Sequence, residues 1–187
     1  DYDQALHELD TLLQSDLTAA QGKLAEYEPD FNNLTAVQRG KLRINRAISY
    51  IITGKYAAAI TDLQQAKPLV NSSELLESVY SYEATAYIGM RAYDKALAAI
   101  SQTLSLINRI DDISHQRRAY LRVANLYYEI DALEDMGIYT QKVLQLSTVT
   151  DVRDICHAKV LQGIYLLGLK KHVEAFSAFE DSRTYCE

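Results

Sequence analysis

The chain has 187 residues, 48% of them hydrophobic, with only 7 Gly and 2 Pro and a formal net charge of −6. So few breakers suit long helices, and the acidic balance argues against a nucleic-acid partner, which needs a basic face. No apolar run approaches the ~20 residues that span a bilayer. No signal peptide is legible, and the opening at Asp1 inside a helical pattern reads as a fragment of something larger.

Residues 2–14 place Tyr2, Ala5, Leu9 and Leu12 at helical spacing, as in the second helix of a pair whose first helix lies outside the chain. Residues 15–34 are expected to hold one short helix, about 17–27, and a loop from Glu28 to Leu34 rich in turn formers. Thr35-Ala36-Val37-Gln38 has the form of a capping box and opens a helix running to about Thr53. Gly54 supplies the left-handed conformation that ends it, and a partner helix follows from Tyr56 to about Val70. Asn71 is the expected cap of the next helix, with Glu74 in its favourable first turn. That helix pairs about 73–90 with 93–108. Asp111-Asp112 open a third pair, about 112–130 with 133–147, and Thr150-Asp151 a fourth, about 152–168 with 172–186. Short connections make successive helices antiparallel.

These pairs repeat one pattern. Ala47, Ala59 and Ala66 are small where two helices must approach, and Tyr50, Tyr56 and Leu63 fill the space around them. Ala84 to Tyr87 leads in the same way to Tyr93 and Ala96, Ala124 to Tyr127 to Leu133 and Met136, and Gly163 to Leu166 to His172 and Ala175. The equivalent positions Tyr56, Tyr93, Leu133 and His172 follow one another at a nearly constant spacing, and such a period marks a helical array. The 14 Tyr, against 3 Phe and no Trp, read as amphipathic fillers at helix edges.

The order Ala, Tyr, Gly, Tyr, Ala, bulky residue, Ala resembles the tetratricopeptide repeat (TPR), with departures at Arg91 and Asp131, where the turn glycine stands, and at Gly163, the first small position. The resemblance covers roughly residues 35–187. It implies an all-α, right-handed superhelical solenoid of antiparallel hairpins over about 35–70, 73–108, 112–147 and 151–187. Residues 1–34 would then be the second helix of a truncated repeat and an irregular junction. No polar closing helix precedes Glu187, so further repeats are expected beyond it.

Chemistry is hard to place. His7, His115, His157 and His172 form no HExxH spacing. Cys156-His157 is the one Cys/His neighbour pair, and adjacent helical residues point about 100° apart, so they cannot converge on one metal or act as nucleophile and base. It reads as a packed thiol beside an exposed imidazole. The acidic pairs Asp111-Asp112, Glu134-Asp135 and Glu180-Asp181 read as solvated charge rather than a general acid and base. No Gly-rich phosphate loop is present. The reading is of a protein without catalysis, metal or cofactor.

What the TPR resemblance offers instead is a concave groove lined by the first helix of each hairpin. Its matching positions are Lys41, Ile44 and Ile48, then Ser78, Ser81, Thr85 and Ile88, then Arg118, Leu121, Asn125 and Tyr128, and finally His157, Val160 and Ile164. Ile44 and Ile48 stand where TPR co-chaperones clamp a C-terminal carboxylate with Lys and Asn, which disfavours that use. Arg118, Asn125 and Tyr128 put a cation, an amide and a phenol along one helix face, suited to an anionic ligand. The expected occupant is a peptide, a protein or a small anionic ligand; the alternative is a solvated groove that is never filled.

The length of the repeat, with long helices and acidic breaks, also looks like the amino-terminal sensor arrays of bacterial GGDEF-type diguanylate cyclases. That resemblance implies a periplasmic sensing domain of a signalling protein. The alternatives are a cytoplasmic interaction scaffold, or a peptide-binding regulatory arm of a transcription factor or hydrolase.

Cys156 and Cys186 are far apart in the chain but nearly symmetric about the last turn, 14 positions before and 16 after Lys170. At about 1.5 Å rise per residue they differ in level by only ~3 Å, and both face the partner helix, so a disulfide is within reach. The alternative is a pair of reduced, packed thiols. A bond would favour an oxidising compartment.

Overall fold

The structure is a computed structural model that describes residues 2–27 and 31–186. Among these, every regular element is helical: the protein is all-α. The chain divides into two compact units, Asp1–Gln102 and Thr103–Glu187.

The first unit opens with α1 (Tyr2–Ser15) and α2 (Leu17–Tyr27). The buried stripe of α1 is Leu6, Leu9 and Leu13, whereas Ala5 and Leu12 stay half-buried. Leu6 and Leu9 join Leu24, Leu34 and Leu42 in a small apolar cluster. Of the expected loop, Glu28, Pro29 and Asp30 lie outside the described residues, and Phe31–Asn33 form a 3-10 turn. Helix α3 (Ala36–Ile52) begins at the capping box: Thr35 Oγ1 accepts from Gln38 N, and the Gln38 side chain accepts from Thr35 N. Helix α4 (Tyr56–Ala66) stops short of Val70, because Lys67–Leu69 tighten into a 3-10 turn around Pro68. Ala47, Ala59 and Ala66 are fully buried and let α3 and α4 close around Ile44, Leu63 and Val79. Helix α5 (Ser73–Gly89) is capped by Ser72, whose Oγ accepts from Leu75 N, rather than by Asn71. Helix α6 (Tyr93–Ile107) follows, and the division between the units, after Gln102, falls within it.

Charge is buried with the apolar residues. Asp62, only 4% exposed, accepts from Arg43 Nη1 at 2.9 Å and from Arg46 Nε and Nη2 at 2.6 and 2.7 Å, tying α4 to α3. A carboxylate so placed is tolerable only because two guanidiniums saturate it.

The second unit holds α7 (Ile113–Glu129), α8 (Leu133–Leu146), α9 (Val152–Gly168) and α10 (His172–Cys186). Asp112 caps α7, accepting from Ser114 N and His115 N. Asp151 precedes α9 but does not cap it; its carboxylate takes the Thr148 N–H and hydroxyl and turns to Arg117. Gly163 proves necessary where the repeat pattern has another small residue, since a Cβ there would run into the Phe179 ring. Cys156 and Cys186 are disulfide-bonded, with Cα atoms 5.1 Å apart, and close the open ends of α9 and α10.

Four turns, α3 to α4, α5 to α6, α7 to α8 and α9 to α10, share one geometry. Gly54, Arg91, Asp131 and Lys170 have φ of 73, 58, 60 and 59°. The next residue in each case donates back five positions, Lys55 to Tyr50, Ala92 to Tyr87, Ala132 to Tyr127 and Lys171 to Leu166, at 2.7–2.9 Å. The left-handed residue itself donates back three positions at 2.8–3.1 Å. This is the Schellman motif, which satisfies the last carbonyls of each helix. It recurs with the same spacing as Tyr56, Tyr93, Leu133 and His172, each of which begins the helix after its turn.

Candidate functional site

Arg117 anchors α7 in the second unit. It is nearly buried, donating from Nη1 and Nη2 to Asp151 at 2.8 Å and from Nε to Asp154 at 2.6 Å. The side-chain fork therefore pins α7 to the first turn of α9. Asp151 is held below its ordinary carboxylate value chiefly by the Thr148 backbone N–H, with the Thr148 hydroxyl and Arg117 adding to it. One residue on, Arg118 faces solvent and has no hydrogen bond or ion pair to the described residues. A saturated Arg beside an open one gives α7 a fixed register and a free guanidinium.

Along the same helix Asn125 and Tyr128 are exposed, Tyr128 by 47%. The Asn125 amide donates to Leu121 O at 3.0 Å, leaving its carbonyl outward. On α9, His157 is exposed. The expected cation, amide and phenol of α7 are thus all reachable. Leu121 corrects the expected stripe: it is buried, so the open positions of that face are Arg118, Asn125 and Tyr128.

The first unit corrects the expectation further. Ile44 is 5% exposed and sits in the core with Ala47, Ala59 and Val79. Ser81 is buried and donates to Glu77 Oε1 at 2.5 Å. Thr85 turns its hydroxyl back to Ser81 O, Ile48 packs against the apolar cluster, and Lys41, like Ser78 and Ile88, is half-buried. The reason is coverage: α3 is packed by α1, α2, α4 and α5, so it keeps little open face. Being buried, Ile44, Ser81 and Leu121 line no open groove. In the second unit Val160 and Ile164 are half-buried as well.

Sequence reasoning missed an aromatic column on α7 and α8. The Tyr120 and Tyr139 rings stack at 6.0 Å, and Tyr139 and Tyr127 at 5.5 Å. Lys142 Nζ lies 4.9 Å from the Tyr120 centroid and 5.4 Å from that of Tyr139. Burial pushes the Tyr127 phenol up to about 12 and raises Tyr139 too, so both stay protonated donors at neutral pH. The 14 tyrosines were visible, and Tyr139 and Lys142 share a face by their spacing on α8, but that Tyr120 and Tyr127 join them depends on how α7 meets α8. Among the described residues no group of three or more His, Cys, Asp or Glu is placed to hold a metal ion. None of the described helices is long and apolar enough to cross a membrane.

No protein-family model matches the chain, and no curated protein matches it in sequence. Among solved structures it is similar to BtubC (BKLC) from P. vanneervenii, with a TM-score of 0.68 over 98% of this chain and 87% of that one. The identity is 13%, so the likeness is one of fold alone.

Proposed function

We propose that the chain is a non-catalytic binding module of TPR-like helix hairpins stacked as a right-handed solenoid, and that it serves as the sensing input of a bacterial signalling protein such as a diguanylate cyclase. The repeat reading is supported by four turns of one geometry at matching intervals, since a hairpin that cannot bury its own faces gains stability by stacking copies. The binding reading rests on one observation, the unpartnered Arg118 held in register by the saturated Arg117. With Asn125 and Tyr128 beside it, α7 offers a charged donor, an amide and a phenol to a carboxylate-bearing peptide. The Cys156–Cys186 disulfide favours the periplasm over the cytoplasmic scaffold.

A random-peptide display selection on the immobilised protein tests the binding surface. Selected peptides should lose ~1–3 kcal/mol of affinity against Arg118→Ala. Peptides indifferent to Arg118→Ala, Asn125→Ala and Tyr128→Ala alike would refute it. Thiol alkylation of intact cells tests the compartment: Cys156 and Cys186 should resist the reagent until reduced, and ready labelling would place the domain in the cytoplasm.

A further inference from the structure

The geometry points to a second binding site, between α8 and α9, for a small organic carboxylate. A cavity of about 580 Å³ opens there, within the usual range for small-molecule sites. Thr140, Gln141, Lys142 and Gln145 line it from α8, and Gln162 and Tyr165 from α9. No Asp or Glu lines it, although the chain carries a net charge of −6. The lining is thus rich in hydrogen-bond donors and holds one positive charge.

Two independent features mark this as more than a surface dip. The first is Thr140. It is 2% exposed, yet its hydroxyl has no hydrogen-bond partner. Other helical threonines here, Thr61 and Thr85, donate to the carbonyl four residues back, at 3.1 Å in both cases. A buried polar atom left unsatisfied calls for an explanation, and a bound acceptor supplies one. The second is Lys142. Its ammonium makes no ion pair among the described residues and rests over the Tyr120 and Tyr139 rings. Aromatic faces position a cation without neutralising it, so the charge remains available to an anion. Gln141, Gln145 and Gln162 likewise make no hydrogen bond to the described residues.

The opposite wall is apolar. A Cβ on Gly137 would lie 2.7 Å from Tyr165 Cδ2, so only glycine lets that ring lie against the α8 backbone. With Leu166 beside it, the ring offers a surface for a hydrocarbon or aryl body, while Lys142 and the amides take the carboxylate. One charge at one end and an apolar wall at the other select a monocarboxylate over a dicarboxylate or a phosphate ester. This site uses a different face of α9 from His157 and does not depend on the α7 stripe.

The test is a titration of the whole chain with phenylacetate, and with the neutral phenylacetamide as control, followed by backbone ¹H–¹⁵N shifts. Phenylacetate should give saturable shifts at the lining residues of α8 and α9. Phenylacetamide should bind at least tenfold more weakly. Lys142→Met should raise Kd at least tenfold and Thr140→Val severalfold, and the exposed Gln145→Ala also severalfold should Thr140→Val fold poorly. Arg118→Ala should leave Kd unchanged, which separates this site from the peptide surface. Absence of saturable shifts on α8 and α9, equal binding of the amide, or indifference to Lys142→Met would overturn the assignment.

Discussion

Replacing Arg91 and Lys170 by glycine should stabilise the protein. Both residues sit at the left-handed position of a Schellman turn, with φ of 58 and 59°, where Gly54 stands in the equivalent turn. An L-residue there costs about 1–2 kcal/mol, because its Cβ crowds the following carbonyl. Glycine removes that cost but gains freedom in the unfolded chain, which offsets about 0.4–1 kcal/mol. Neither side chain has a hydrogen bond or ion pair to the described residues, so truncation forfeits little else. The net expectation is about 0.5–1 kcal/mol for each variant, additive in the double variant because the two turns share no partner. Asp131→Gly should gain less, since Asp tolerates this conformation better than most residues. Gly54→Ala is the converse control. Its φ is 73° and an added Cβ meets nothing within 4 Å, so any loss, about 1 kcal/mol, is backbone strain alone. Urea midpoints at constant temperature measure all four. Unchanged or lower midpoints for Arg91→Gly and Lys170→Gly, together with a neutral Gly54→Ala, would show that the turns do not demand a left-handed residue.

Other perturbations test different parts of the argument. Ala59 is fully buried between α3 and α4 and Ala57 is exposed, so Ala59→Leu should cost ~1–3 kcal/mol by overpacking and Ala57→Leu almost nothing; equal urea midpoints would disprove the packing assigned to α4. Gly22→Ala, with open space around it in α2, should gain up to ~1 kcal/mol from helix propensity, while Gly163→Ala should lose ~1–3 kcal/mol by displacing the Phe179 ring. Opposite signs are the checkable outcome. Acid stability should depend on Asp151, whose folded value lies below its ordinary 3.8. The unfolded chain takes up that proton first, so the stabilisation is complete above about pH 4 and fades as pH falls through the lower folded value. Asp151→Asn should flatten the fall in urea midpoint below pH 4, and an unaltered profile would remove Asp151 from the acid response.

The sequence alone determined what depends on neighbours along the chain. Thr35 with Gln38 forms a reciprocal cap whose two bonds join positions three apart, so the pattern of side chains carries it. The periodic small and aromatic positions also mark where helices must meet, and near-equal counts on either side of Lys170 bring Cys156 level with Cys186, whose Cα atoms lie 5.1 Å apart. Tertiary structure decided everything that requires knowing what covers a face. Arg91, Asp131 and Lys170 lack the turn glycine, yet hydrogen bonding and helix contact force them left-handed, because closing the hairpin outweighs a local preference. Ile44 and Ser81 look like groove residues by repeat position but are buried, since α3 is packed by α1, α2, α4 and α5, and α5 by α3 and α4. Arg117 and Arg118 are identical in type and adjacent in sequence, and one becomes a buried tie while the other stays open. A step of about 100° around one helix separates those two fates, and which side of that step meets the carboxylates of α9 is set only when the helices pack.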